Sequence, residues 1–141
     1  MQNQQMEMRL NAPQIPPPAP LVVPVPVPAV DMTEIMTLDH PNGRLWRDWN
    51  ETGKLAYLLG LREGLNPLME NIPKHEADTY FPPTMTLSQT EAAVDKFFED
   101  SENIRVPIFA AMRIVTMKVN GATQDQIDSE ITLNRQISSK K

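Results

Sequence analysis

The chain has 141 residues, 40% hydrophobic and 22% charged, a composition that suits one soluble globular unit built around a single core. Eighteen acidic against thirteen basic residues leave a formal charge of −5, and the Lys and Arg are scattered. That excludes the concentrated phosphate-neutralising patch of a nucleic-acid binder and favours a basic protein partner. With no cysteine, a disulfide framework, a thiolate nucleophile and a cysteine-based zinc site are all excluded.

The opening residues, MQNQQMEMRL, lack the apolar run behind a basic start that marks an ordinary signal peptide. The expectation is a cytoplasmic protein, or a periplasmic or secreted one whose leader lies upstream of this sequence. Eight of the 14 prolines fall between Pro13 and Pro28. Proline holds the backbone in an extended helix rising about 3.1 Å per residue, so the tract reads as a semi-rigid stalk; the alternative is a PxxP ligand for a small adaptor domain. The stretch LVVPVPVPAV is apolar, but alternate prolines remove backbone donors and interrupt any helix, so it is not a membrane span. Residues 1–36 are therefore expected to be a disordered head and proline-rich linker, and 37–141 a folded helical domain.

From HPNGRLWRDWN onward the composition is that of a packed body. Pro41, Asn42 and Gly43 predict a turn, and Trp46 and Trp49, three residues apart, predict a short helical turn with both indoles on one side. Asn50 is positioned to cap a long helix over about 51–70. Leu55, Leu58, Leu59, Leu61 and Leu65 cover a broad arc, which predicts a central helix. Gly53, Tyr57, Gly60 and Gly64 share one side of it. Because a helical glycine costs up to about 1 kcal/mol relative to alanine, a neighbour is expected to pack closely at Gly60 and Gly64.

Pro67 and Pro73 weaken and stop this helix, and NIPKHEADTYFPP crosses to the next as a loop. Pro82 and Pro83 present Tyr80 and Phe81 in an extended corner, after which Thr86 with Gln89, or Ser88 with Glu91, forms a capping box. The second helix has an apolar stripe of Leu87, Thr90, Val94, Phe97 and Phe98, while Glu91, Asp95, Glu99, Asp100 and Glu102 predict an acidic solvent face, the candidate partner-binding surface. Pro107 opens a third helix, PIFAAMRIVTMKV, stopped by Asn120 and Gly121. Thr123 with Gln126 starts a fourth, more polar helix with Ile127, Ile131, Leu133 and Ile137. No alternating strand of useful length appears, so the fold class is all-α, four main helices behind a proline-rich segment.

Catalytic chemistry finds little support. His75, Glu76 and Asp78 are the nearest approach to a metal set, but sequence neighbours seldom converge on one ion, and ordinary loop residues are the better reading. His40 precedes a turn proline, and no GxSxG elbow is present. Arg62 lies in the leucine arc, where a charge needs a carboxylate, helix carbonyls or an anionic ligand. No catalytic residue, cofactor or metal is expected.

YLLGLREGL, taken with YFPPTMTLSQTEAAVDKFF and RVPIFAAMRI, resembles the family of immunity proteins that neutralise type VI secretion amidase effectors. That family carries a Tyr-x-x-Gly-like helix and an aromatic-Cys-Pro-Pro corner leading into a helix; Pro82, Pro83, Thr86, Gln89 and Pro107 stand at matching places over about residues 45–120. Phe81 stands where relatives carry cysteine, so no disulfide follows. The resemblance implies a helical, non-catalytic inhibitor that blocks a cell-wall amidase, periplasmic and dimeric. The chain is also similar to bacterial exported helical domains that begin NGR-x-W, here Asn42, Gly43, Arg44 and Trp46, which implies an envelope-associated structural role on the stalk. Either way Trp46, Trp49, Tyr57, Gly60, Gly64, Phe81, Pro82, Pro83, Phe97, Phe98 and Pro107 are the expected structural residues, with the proline corner locking the second helix onto the glycine side of the first.

Overall fold

A computed structural model of the chain describes residues 13–26, 29–69 and 80–140. Residues 13–26 and 29–30 run as exposed chain with neither helix nor strand. Regular structure begins with the cap at Asp31. Its carboxylate accepts from the Thr33 amide at 2.9 Å and hydroxyl at 2.7 Å, capping α1 (Met32–Ile35), and these bonds hold the carboxyl below its ordinary pKa. Two-residue strands follow, β1 (Met36–Thr37) and β2 (His40–Pro41), paired antiparallel. Leu38 and Asp39 between them have φ of 51° and 63°, the left-handed pair that a two-residue hairpin turn requires.

The residues Pro41, Asn42 and Gly43 are not a turn. Pro41 ends β2, Asn42 caps α2 (Gly43–Asp48), and Gly43 is its first helical residue. Asn42 is fully buried with its side chain saturated: Oδ1 accepts from the Arg44 N–H at 3.0 Å, while Nδ2 donates to the Glu34 carbonyl at 3.0 Å and to Thr37 Oγ1 at 3.1 Å. Its backbone N–H donates to the Ile35 carbonyl, and the Gly43 N–H to that of Val106. Here glycine is required by space, since a Cβ on Gly43 would lie 2.3 Å from the Phe98 ring.

α3 (Glu51–Met69) is capped as expected, the Gly53 N–H donating to Asn50 Oδ1 at 2.8 Å. It is not the central helix. Leu58 is fully buried, but Leu59 is exposed, and the inward edge runs through Lys54, Tyr57, Leu58 and Leu61. Gly60 and Gly64 fall outside that edge; a Cβ on either meets nothing within 4 Å among the described residues. Among the described residues no close neighbour stands there, and the i, i+4, i+7 spacing of the larger side chains decides which face α3 turns inward.

α4 (Leu87–Glu99) starts from the predicted Thr86–Gln89 capping box. A one-turn 3₁₀ helix (Ser101–Asn103) leads to α5 (Ile108–Val119), and Gly121, φ 83°, separates α5 from α6 (Gln124–Ser139), which opens with the Thr123–Gln126 box. Pro107 is the capping residue of α5 rather than its first helical one. Most of α5 is buried, from Ile108 through Ala111, Met112 and Ile114 to Thr116, with α4 and α6 against it and α3 against the far side of α4. The proline corner docks on this helix too: Thr116 Oγ1 donates to the Tyr80 carbonyl at 3.3 Å, Pro82 is buried beneath it, and the Met85 N–H closes a turn onto the Pro82 carbonyl. The corner therefore locks α4 to α5, not to the glycine side of α3. Phe81 is half-buried, Pro83 exposed, and Trp46, Phe97, Phe98 and Pro107 are buried.

The glycines separate cleanly by experiment. Gly43→Ala should lower the unfolding free energy by about 1–3 kcal/mol through overpacking against Phe98. Gly60→Ala and Gly64→Ala should each raise it by about 0.5–1 kcal/mol through helix propensity alone. Urea unfolding of the three variants measures both; destabilisation at Gly60 or Gly64 would restore the close-contact reading.

Candidate interaction surface

α4 buries Thr90, Val94, Phe97 and Phe98 and packs against both α5 and α3. The same packing carries Glu91 and Asp95 toward α2 and α3. Asp95 Oδ1 accepts from Trp46 Nε1 and from Lys54 Nζ, each at 2.7 Å, and Lys54 also lies 5.5 Å from the Trp46 ring centroid. The Lys54 side chain is only 14% exposed, so this ion pair is largely desolvated on the lysine side and holds three helices together. The aromatic row continues from Trp46 to Trp49 at 6.3 Å and from Trp49 to Tyr57 at 5.1 Å, and burial raises the Tyr57 phenol pKa.

Glu91 is buried beside this pair. Loss of hydration, then repulsion from Asp95 and Glu51, raises its pKa against the opposing pull of Lys54. The expected acidic solvent face is thus divided. Glu91 is buried and Asp95, its side chain 41% exposed, is drawn into the ion pair because α4 packs against α5 and α3 together.

Glu99, Asp100 and Glu102 remain outward, at the end of α4. Two of them are anchored: Arg135 of α6 donates to Asp100 Oδ2 at 2.8 Å and to Glu102 Oε2, with its Nε on Asn103 Oδ1 at 2.8 Å. Asp100 also accepts from the Glu102 N–H, and Arg47 donates to the Phe98 and Glu99 carbonyls at the helix end. Neither Arg135 nor Arg47 carries a signal in the sequence, since both act across long separations.

Among the other residues singled out, Arg62 is half-buried and takes part in none of the ion pairs among the described residues. His40 is exposed with its ring edge-on to Phe109 at 4.8 Å. His75, Glu76 and Asp78 lie outside the described residues.

Two features were hidden in the stretch read as a linker. Along residues 13–26 the large apolar side chains stand in solvent: Leu21 is 96% exposed and Val25 85%. At the root of this arm lies an open groove of about 630 Å³, with Met32, Met36 and Leu38 as its apolar lining and Arg105 and Lys140 on its rim. No helix of the described residues is long and apolar enough to cross a membrane. Comparisons with protein-family models, curated proteins and solved structures return no match to this chain.

A carboxyl whose pKa is higher in the fold than in the unfolded chain adds stability below the ordinary glutamate range and withdraws it as pH rises through the raised value. Glu91→Gln should therefore raise the melting temperature at neutral pH, with the gain shrinking to nothing in acid below that range; thermal melts across pH read it. Asp95→Ala, which strands Trp46 Nε1 and Lys54, should cost about 1–3 kcal/mol at neutral pH in chemical denaturation.

Proposed function

We propose that this chain is a non-catalytic protein-binding protein, a helical body that presents an extended apolar arm to a partner. The observation that carries the reading is the uncharged arm itself, whose Leu21, Val22, Val23 and Val25 stand exposed. Apolar side chains left in water as a contiguous run are a docking surface or an aggregation hazard, and alternate prolines suppress the second. Prolines that hold the arm extended also lower the ordering entropy of binding.

The finer proposal is inhibition of a secreted cell-wall amidase with a basic surface, and it rests on the sequence resemblance. The outward carboxylates Glu99, Asp100 and Glu102 supply charge complementary to such a partner, in positions fixed by Arg135 for two of them. The test is calorimetric titration of the full chain into an amidase encoded beside its gene, with peptidoglycan hydrolysis as the second readout. Binding with loss of hydrolysis is expected, and absence of both sinks the amidase reading. The variant Leu21→Ser, Val23→Ser, Val25→Ser keeps every proline; at least tenfold weaker binding is expected from it. Unchanged affinity would leave the arm as a spacer, the role of an envelope-associated domain on a stalk.

A further inference from the structure

We infer that the proline block from Ile15 to Pro20 is a recognition motif, read by a partner protein through an aromatic-lined groove that takes the edge carrying Pro17 and Pro20. This deepens the protein-binding reading and rests on it, by placing a contact in the prolines and giving the partner's groove its chemistry.

Three observations point there. The block is the best pre-organised part of the exposed arm. Every residue from Ile15 to Pro20 is either a proline or the residue before one, so that φ is locked or the α region is disfavoured at each of them. Gln14 on one side, and Leu21 and Val22 on the other, are neither. The whole block stands in solvent outside any helix or strand, with Ile15 92% exposed. An extended proline helix turns once in three residues, which puts Pro17 and Pro20 on one edge and Ile15 and Pro18 on another. Pro13 and Pro16 have the same spacing, but Gln14 between them leaves that pair free to bend. Pro17 and Pro20 are held in register by their own neighbours, so binding there costs little ordering entropy.

Secondly, the block is all acceptor. Pro16 to Pro20 offer five carbonyls against the single N–H of Ala19. Such a segment cannot extend a partner's sheet, which requires donors at alternate residues, and it has no helical apolar face for a helix-binding groove. What fits it is a surface of aromatic rings that pack on the pyrrolidines, while indole N–H or phenol O–H groups at the ring edges donate to the carbonyls.

Thirdly, no charged residue lies between Arg9 and Asp31. Recognition of the block therefore draws on no ion pair of its own. That separates it from the outward carboxylates Glu99, Asp100 and Glu102, whose attraction for a basic surface is screened by salt.

The test uses two proline-reading modules with aromatic grooves as probes, an isolated WW domain and an isolated EVH1 domain. The full chain is titrated into each isotope-labelled domain, and the groove resonances are followed by NMR. Saturable shifts at the aromatic groove of at least one domain are expected, with an affinity that changes less than about twofold between about 0.1 M and about 1 M salt. Pro17→Ala/Pro20→Ala should weaken that affinity at least tenfold. Pro13→Ala/Pro24→Ala, which removes as many prolines from outside the block, should change it less than twofold. All these positions are exposed arm residues, so thermal melts of the variants should coincide with that of the unaltered chain. No response from either domain, equal weakening by the two proline pairs, or binding that collapses in salt would each overturn the motif. If neither domain responds but Leu21→Ser/Val23→Ser/Val25→Ser still weakens binding to the amidase, the motif falls and the protein-binding reading stands. If the amidase titration is silent as well, both fall.

Discussion

The body is organised around the contact between Gly43 and the Phe98 ring, with Asn42 as its polar counterpart. A backbone without a side chain lets α2 lie directly on an aromatic residue of α4. Asn42, fully buried, is tolerable only because its amide is saturated by Glu34, Thr37 and Arg44. Through these two neighbouring residues α1, the hairpin, α2, α4 and the segment before α5 are tied at one place. The same polar group that satisfies the hairpin also starts α2, so loss of Asn42 would leave several buried donors and acceptors unpaired at once.

Charge is used mainly inside this fold. Asp95 receives an indole N–H and an ammonium at the α2–α3–α4 junction, and Arg135 gathers three acceptors from the segment between α4 and α5. Such ties fix orientation more than they add stability, because each group gives up hydration to make them. Glu91 is the member least compensated: burial, then repulsion from Asp95 and Glu51, raises its pKa against the pull of Lys54. Of the acidic residues of α4, those available to a partner are therefore the ones at its end, while Asp39, Asp48, Glu51, Asp125 and Asp128 are exposed elsewhere on the body.

The helices were legible in the sequence where local chemistry determines them. Asn50, Thr86 with Gln89, and Thr123 with Gln126 mark helix starts by hydrogen bonds spanning three residues, and the structure has all three. Packing partners were less legible. Gly60 and Gly64 looked like a contact face by spacing, yet nothing in the sequence distinguishes them from Gly43, whose role depends on a phenylalanine 55 positions later in the chain. Glu91 and Asp95 looked solvated because charged residues at i and i+4 usually are; the burial of Glu91 and the pairing of Asp95 with Lys54 follow from a third helix crossing that side. The hairpin was invisible for a different reason, since its turn is Leu38–Asp39 rather than the Asn-Gly pair that signals such turns. The groove was invisible because its residues come from the supposed linker, from the segment before α5 and from the end of α6.

The hairpin also explains why the arm and the body need not be independent. α1, to which the arm is joined, gives its Glu34 carbonyl to Asn42, and its Ile35 carbonyl accepts from the Asn42 backbone. The exposed Arg44–Glu34 pair adds little to this, being solvated on both sides. A short helix hung on a core asparagine thus fixes the start of the body, from Asp31 onward, to the Gly43–Phe98 contact.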